Sequence, residues 1–127
     1  MIKKVLIIDD DNIIRKITSQ MVKVSKLSTS EPLLFKNGLE AYNYLTTEKD
    51  QEYRYILFLD INMPVMDGWT FLKRLEEEDL VKEKLIYLFT SSVDRADHCR
   101  GKNNKYVKDI ITKPLTIGKI ENIIKAL

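Results

Sequence analysis

The chain has 127 residues, 44% of them hydrophobic and 31% charged, the balance of one ordinary globular domain rather than a disordered segment. Twenty-one Lys and Arg against 19 Asp and Glu leave a net charge of +2, too even to argue for nucleic acid as a partner. One cysteine, Cys99, and one histidine, His98, exclude a disulfide framework, a cysteine-rich zinc site and any multi-histidine metal site.

The first apolar run, Val5 to Ile8, is continuous and rich in β-branched residues, as a strand buried on both faces should be. It meets acids at once, so Met1 to Ile8 is not read as a secretory signal, and the expected address is the cytoplasm. Ile14, Ile17, Met21 and Val24 come next at helical spacing. Leu33 to Phe35 is a weaker strand, Asn37-Gly38 punctuates, and Ala41, Tyr42 and Leu45 form a second helix stripe. Tyr55 to Leu59 is a clear strand, and Gly68 opens a helix carrying Trp69, Leu72 and Leu75. Leu85 to Phe89 is a fourth strand, and Asp94 to Lys105 a polar helix with few apolar anchors, chiefly Ala96 and Cys99. Val107 to Ile111 is a fifth strand, and Ile117, Ile120, Ile124 and Leu127 the last helix face. The apolar runs stop at about five residues where a membrane span needs roughly 20, so no membrane is expected as a partner. Strict alternation of five strands with five helices predicts an α/β fold, a parallel sheet covered on both faces. One domain over residues 1–127 is expected, with no output domain.

Ligands of open parallel sheets sit just beyond the carboxyl ends of the strands. Asp9, Asp10 and Asp11 follow the first strand, and Asp60 with Ile61-Asn62-Met63-Pro64 the third. Thr90, Ser91 and Ser92 follow the fourth, and Thr112, Lys113 and Pro114 the fifth. Any one of these could be a loop residue or a cap, as Asp11 or Asn12 could be for the first helix. As a set they place several carboxylates, a lysine and a hydroxyl at one sheet edge. Clustered acids repel unless a cation or a proton shares the site, and an oxygen-rich site of this kind suits Mg²⁺. A carboxylate kept ionised there can act as a nucleophile, while a hydroxyl and an ammonium stabilise charge on a phosphoryl group.

Four separated motifs carry a resemblance: Ile7-Ile-Asp-Asp10, Leu59-Asp-Ile-Asn-Met-Pro-Val-Met-Asp-Gly68, Thr90-Ser91 and Lys113-Pro-Leu-Thr116. In this order, each at the end of a predicted strand, they resemble the response-regulator receiver domain of two-component signalling, in its stand-alone, CheY-like form. The resemblance runs over essentially the whole chain. It implies a doubly wound, flavodoxin-like (βα)5 fold with strand order 2-1-3-4-5, an order that the family's own type example supplies. It further implies Asp60 as phosphoacceptor, and Asp9 and Asp10 as an acid pair for Mg²⁺ (or Mn²⁺), with Asp10 the more direct ligand. The backbone carbonyl of Asn62 would complete the metal sphere. Thr90 and Lys113 would contact phosphoryl oxygens, and small Ser91 would leave access. Pro64 and Gly68 would shape the loop into the third helix. The Lys113–Pro114 bond is a candidate for cis, which an X-Pro bond adopts at little cost. The phosphoryl donor implied is a phosphohistidine on a sensor histidine kinase or a histidine phosphotransfer protein. The expected chemistry is self-phosphorylation and loss of the acyl phosphate to water rather than turnover of an external substrate.

Two features depart from the family pattern. Asp11 adds a third acid, which helix capping would explain. The position three before Lys113, often aromatic in the family and linked to switching, is Ile110, and Tyr106 lies too far back to replace it. A β-branched side chain has few rotamers to change, so a readout through Thr90 and the backbone from Ser91 to Arg95 is expected instead. His98 is read as a surface histidine, Trp69 as helix packing near the site mouth, and Glu76 to Asp79 as a solvated helix end. Arg95, Arg100, Lys102 and Lys105 form a solvated positive face. The rival enzyme reading is a phosphatase of the haloacid-dehalogenase kind, with Asp9 as nucleophile and Asp11 as acid/base. It lacks an acidic pair after Lys113 and leaves the Asp60 segment unexplained. A flavin phosphate would be repelled by three aspartates, and a pure binding module would not need all of Asp9, Asp10, Asp60, Thr90 and Lys113.

Overall fold

The computed structural model describes residues 2–28, 30–47, 53–82, 84–91 and 94–127. Ten elements alternate: β1 (Ile2–Ile8), α1 (Asn12–Ser25), β2 (Leu33–Phe35), α2 (Gly38–Thr47), β3 (Tyr53–Leu59), α3 (Gly68–Glu77), β4 (Lys84–Thr90), α4 (Arg95–Lys102), β5 (Val107–Thr112) and α5 (Ile117–Lys125). The five strands form one sheet in the order β2-β1-β3-β4-β5, every pair parallel, the flavodoxin-like order expected from the resemblance.

Strand side chains alternate between two cores, as a sheet buried on both faces requires. Leu6, Ile8, Leu57, Leu59, Ile86 and Leu88 face Ala41, Tyr42 and Leu45 of α2 and Phe71, Leu72 and Leu75 of α3. Val5, Ile7, Ile56, Phe58, Tyr87 and Phe89 face Val22 of α1 and Ile120 and Ile123 of α5. Each large side chain sealed in this way contributes about 1.5–3 kcal/mol.

The helix stripes of α2 and α3 lie where the spacing predicts, with Phe71 added. Those of α1 and α5 are met in part: Ile14, Met21, Ile120 and Leu127 meet the core, and the other expected residues do not. On α1, Thr18, Ser19 and Val22 face the sheet, while Ile17 and Val24 of the expected stripe are exposed, Val24 at 71%. Small side chains occupy the sheet-facing side, so the larger apolar residues are turned to the helix flank. On α5, Ile120 and Ile123 are buried and Ile124 is exposed. α4 is shorter than the predicted Asp94–Lys105 helix, and Ala96 and Cys99 are not buried anchors; Gly101 is its one buried residue. A Cβ on Gly101 would stand 2.5 Å from Leu88 Cδ1 and 3.0 Å from Ile110 Cδ1, so α4 rests on the sheet through a bare backbone.

Candidate functional site

From β1 the chain crosses to β2 on one side, and from β3 onward it builds the other side, so the sheet divides between β1 and β3. The crevice at such a division, beyond the carboxyl ends of the strands, is where open α/β sheets bind ligands. The register sets Ile8 beside Leu59, which brings Asp9 and Asp60 side by side. Backbone bonds fix both: Asp9 N–H donates to Phe35 O at 3.0 Å, and Asp60 N–H to Ile8 O at 2.9 Å. One carboxylate oxygen from each of Asp9, Asp10 and Asp60 lies within 4.8 Å of the others. Asp9 and Asp60 are buried and Asp10 is exposed.

Lys113 reaches in from the end of β5. Its Nζ is 2.7 Å from Asp9 Oδ2 and 3.5 Å from Asp60 Oδ1. The approach to Asp9 Oδ2 is an ion pair without hydrogen-bond alignment, so this fully buried oxygen still lacks an aligned donor. Thr90 ends β4 beside Thr112, and Lys113 N–H donates to Thr90 O at 2.8 Å, which ties the hydroxyl-bearing and amine-bearing segments together. The Lys113–Pro114 peptide is cis, as the sequence suggests.

Burial raises the Asp60 carboxyl to about 7, helped by the neighbouring Asp9 carboxylate; Lys113 and the Ile61 N–H pull the other way without prevailing. Burial also disfavours the Lys113 ammonium, but its close approach to Asp9 and the charges of Asp60 and Asp9 outweigh that and raise it. One ammonium thus pairs with two of the three carboxylates, Asp9 and Asp60. The donor set is all oxygen, tightly grouped and short of positive charge, which fits a hard divalent cation.

The loop from β3 to α3 is held at both ends. Gly68 N–H donates to Ile61 O at 2.9 Å, and a Cβ on Gly68 would lie 2.6 Å from Asp60 O, so only glycine permits the helix to start this close to Asp60. Asp67 caps α3 by accepting from Thr70 N–H at 2.8 Å. Between them Val65 takes φ 69°, a strained value for a β-branched residue, and Met66 N–H turns back to Pro64 O at 2.7 Å. Asn62 and Pro64 are exposed.

Three contributors lie outside the motifs. Gly38 N–H donates to Met66 O at 3.1 Å, and buried Asn37 caps α2 through Glu40 N–H at 2.9 Å, so the segment after β2 braces the Asp60 loop. The Asn37-Gly38 pair is visible in the sequence as punctuation, but not as a brace. Arg15 donates from Nη1 to Asp9 O at 2.6 Å and from Nη2 to Asn12 Oδ1 at 3.3 Å, which sets the acid-bearing turn against α1. Asp94 caps α4 through Asp97 N–H at 3.1 Å.

Asp11 accepts from Ile13 N–H at 2.9 Å and Ile14 N–H at 3.1 Å, and its own N–H donates to Asp9 Oδ1 at 2.9 Å. It is the cap of α1, which removes the acid/base that the phosphatase reading needs. His98 sits on α4 with Nε2 3.0 Å from Ser91 O, away from the acids. Ser91 is exposed, and Ser92 lies outside the described residues. Ile110 is packed among Leu88 and Gly101 beneath α4. Two of the four helix-end acids are engaged: Tyr42 donates its hydroxyl to Glu78 Oε1, and Tyr106 donates to Glu76 Oε1 at 3.3 Å.

The model of the response regulator receiver domain family matches residues 5–125. The chain belongs to this family. The receiver domain is similar to a chemotaxis protein CheY homolog of Campylobacter jejuni, at 25% identity over 95% of this chain and 92% of the relative. It is also similar to chemotaxis protein CheY1 of Helicobacter pylori, at 29% identity over 83% of this chain and 84% of the relative. Its fold matches the crystal structure of a response regulator receiver protein from Dyadobacter fermentans with a TM-score of 0.85, at 21% identity, over 98% of this chain and 96% of that one. The receiver domain is thus a CheY-like module of two-component signalling. Among its described residues no helix is long and apolar enough to cross a membrane.

Proposed function

We propose that this receiver domain is a phosphoacceptor switch whose acceptor is Asp60. The observation that carries the reading is the juxtaposition of Asp60 with Asp9, Asp10 and Lys113 at the division of the sheet. An Asp60 carboxylate oxygen attacks the phosphorus of a phosphohistidine on a sensor histidine kinase or a histidine phosphotransfer protein. The new O–P bond forms as the N–P bond breaks, and the imidazole nitrogen keeps the electron pair and takes up a proton. Water later cleaves the acyl phosphate and restores Asp60, so the protein acts on itself and is not a turnover enzyme. Lys113, already beside Asp9 and Asp60, balances charge on the incoming phosphoryl oxygens, and Thr90 offers a hydroxyl donor at the end of β4.

Asp9, Asp10, Asp60 and the backbone carbonyl of Asn62 would hold Mg²⁺, with Mn²⁺ as a substitute. When bound, the ion supplies positive charge that offsets the carboxylates and the phosphoryl group. Output goes by protein–protein contact or by onward transfer of the phosphoryl group, in the cytoplasm and without nucleic acid as a partner of this domain. The test is incubation with Mg²⁺ and a small acyl phosphate, or with beryllofluoride. The wild type acquires acid-labile phosphate and Asp60→Asn does not. Label retained on Asp60→Asn overturns the assignment.

A further inference from the structure

Asp10 is the exposed member of the acid cluster, and the residues on either side of it are tied down. Asp9 N–H is bonded to Phe35 O at 3.0 Å, Asp9 Oδ1 accepts from Asp11 N–H at 2.9 Å, and Asp9 Oδ2 faces Lys113 Nζ at 2.7 Å. Asp11 in turn caps α1. The orientation of Asp10 between them follows from the peptide plane it shares with Asp9 O. That carbonyl belongs to a residue with no exposed surface, and it accepts from Arg15 Nη1 at 2.6 Å. The guanidinium is itself steadied by Nη2 on Asn12 Oδ1 at 3.3 Å, and Arg15 N–H is bonded to Asp11 O at 3.0 Å. Arg15 therefore folds back from α1 and grips the peptide from which Asp10 projects, through a short, charge-assisted bond.

We infer that Arg15 is a positioning residue of the metal site. It sets the Asp10 carboxylate by pinning the Asp9–Asp10 peptide, and it acts without touching the ion. Two effects of opposite sign separate this role from simple charge. A guanidinium bonded to the Asp9 carbonyl lies close to the acid cluster, and its charge alone repels a divalent cation and weakens binding. As a clamp it strengthens binding, because the exposed ligand Asp10 is already ordered when the ion arrives. The contacts are those of a clamp: both Nη atoms are committed to Asp9 O and Asn12 Oδ1, neutral oxygens of the turn, rather than to a carboxylate. The inference rests on the reading of Asp60 as an acceptor with a metal site beside it.

The test is Mg²⁺ affinity, measured by calorimetry, in Arg15→Met and Arg15→Lys. Methionine keeps an apolar stem and removes every donor, whereas lysine keeps the charge and a donor for Asp9 O. Affinity should fall about tenfold in Arg15→Met, as for loss of an outer partner of a metal ligand, and stay within about threefold of wild type in Arg15→Lys. A second readout needs no metal. The Asp10 amide nitrogen shares a peptide unit with Asp9 O, so its NMR resonance in metal-free buffer should move in Arg15→Met and far less in Arg15→Lys. Asn12→Ala frees one side of the guanidinium and guards against misfolding of Arg15→Met; its affinity should fall about twofold, the worth of a weak hydrogen bond. Affinity in Arg15→Met equal to wild type, or tighter as charge alone requires, overturns the inference and leaves the acceptor reading standing. If Arg15→Met does not fold, unchanged affinity and an unmoved Asp10 resonance in Asn12→Ala overturn it. A wild type that binds no Mg²⁺ overturns the inference together with the metal site of the acceptor reading.

Discussion

α3 and α4 flank the same side of the sheet but are held by different forces. α3 buries Phe71, Leu72 and Leu75, and its start is pressed against Asp60 O through Gly68. α4 buries Gly101 alone and depends on Asp97 and Arg100 for its side contacts and on Asp94 for its cap. Apolar burial is worth several kcal/mol per helix and changes little with chemistry at the site. Hydrogen bonds and a cation–π contact are worth about 1 kcal/mol each and respond to nearby charge. The loop that carries Asp60 is therefore held by a helix with a buried apolar face, and the neighbouring helix by polar contacts.

The sharpest way to break the contrast is Phe71→Ala. Removing this fully buried ring should cost about 3–5 kcal/mol, read as a lower denaturant midpoint for the whole domain. No side-chain truncation in α4 should approach that figure.

Next in size is the pH dependence set by Asp60. Its carboxyl rises from 3.8 to about 7 on folding, because burial and Asp9 disfavour the charge. The folded state then holds a proton that the unfolded chain has released, and stability present below about pH 3.8 is lost as pH rises through about 7. In metal-free buffer the loss should be about 2–4 kcal/mol, and Asp60→Asn should flatten it. Denaturant melts at pH 5 and pH 8 check this. Because Asp60 is tied into the β1–β3 ladder, amide exchange should quicken across the sheet and not in α4 alone.

Gly101→Ala is expected to be milder and local. A Cβ 2.5 Å from Leu88 Cδ1 overpacks the contact by about 1–3 kcal/mol, and better helix propensity returns about 1 kcal/mol. The net effect, about 1 kcal/mol of destabilisation, should appear as faster exchange in α4 with a small change in global melting. Smallest is Arg100→Ala, which should remove about 0.5–1 kcal/mol of cation–π contact and shift Trp69 emission without moving the midpoint measurably.

The same contrast explains which parts were legible in the sequence. Strands buried on both faces show as unbroken apolar runs, so β1, β3 and β4 declare themselves, and α2 and α3 show their stripes. The faces of α1 and α5 show only in part, because Thr18 and Ser19 join the sheet side on α1 and Ile123 rather than Ile124 does on α5. Hydrophobicity marks a period, whereas closeness of approach decides which side of the helix meets the sheet. α4 is misjudged for a related reason. Ala96 and Cys99 look like anchors by composition, but Gly101 lies where backbone must meet Leu88 and Ile110.

The chain order of acids, hydroxyl and lysine, each after an apolar strand, is a local property, and the sequence alone determined the parallel α/β class and which polar residues gather at one sheet edge. Four motifs with the right spacing suffice for that because each strand end is covalently tied to the loop residues beyond it. Tertiary structure alone decided the distances and the partners. The register of β1 with β3 brings Asp9 to Asp60, the reach of Lys113 across the sheet edge joins them, and burial raises Asp60 to about 7. The bracing by Gly38 and Arg15 was also decided there. These contacts link residues far apart in the chain, and their geometry exists only once the sheet has set its strands side by side.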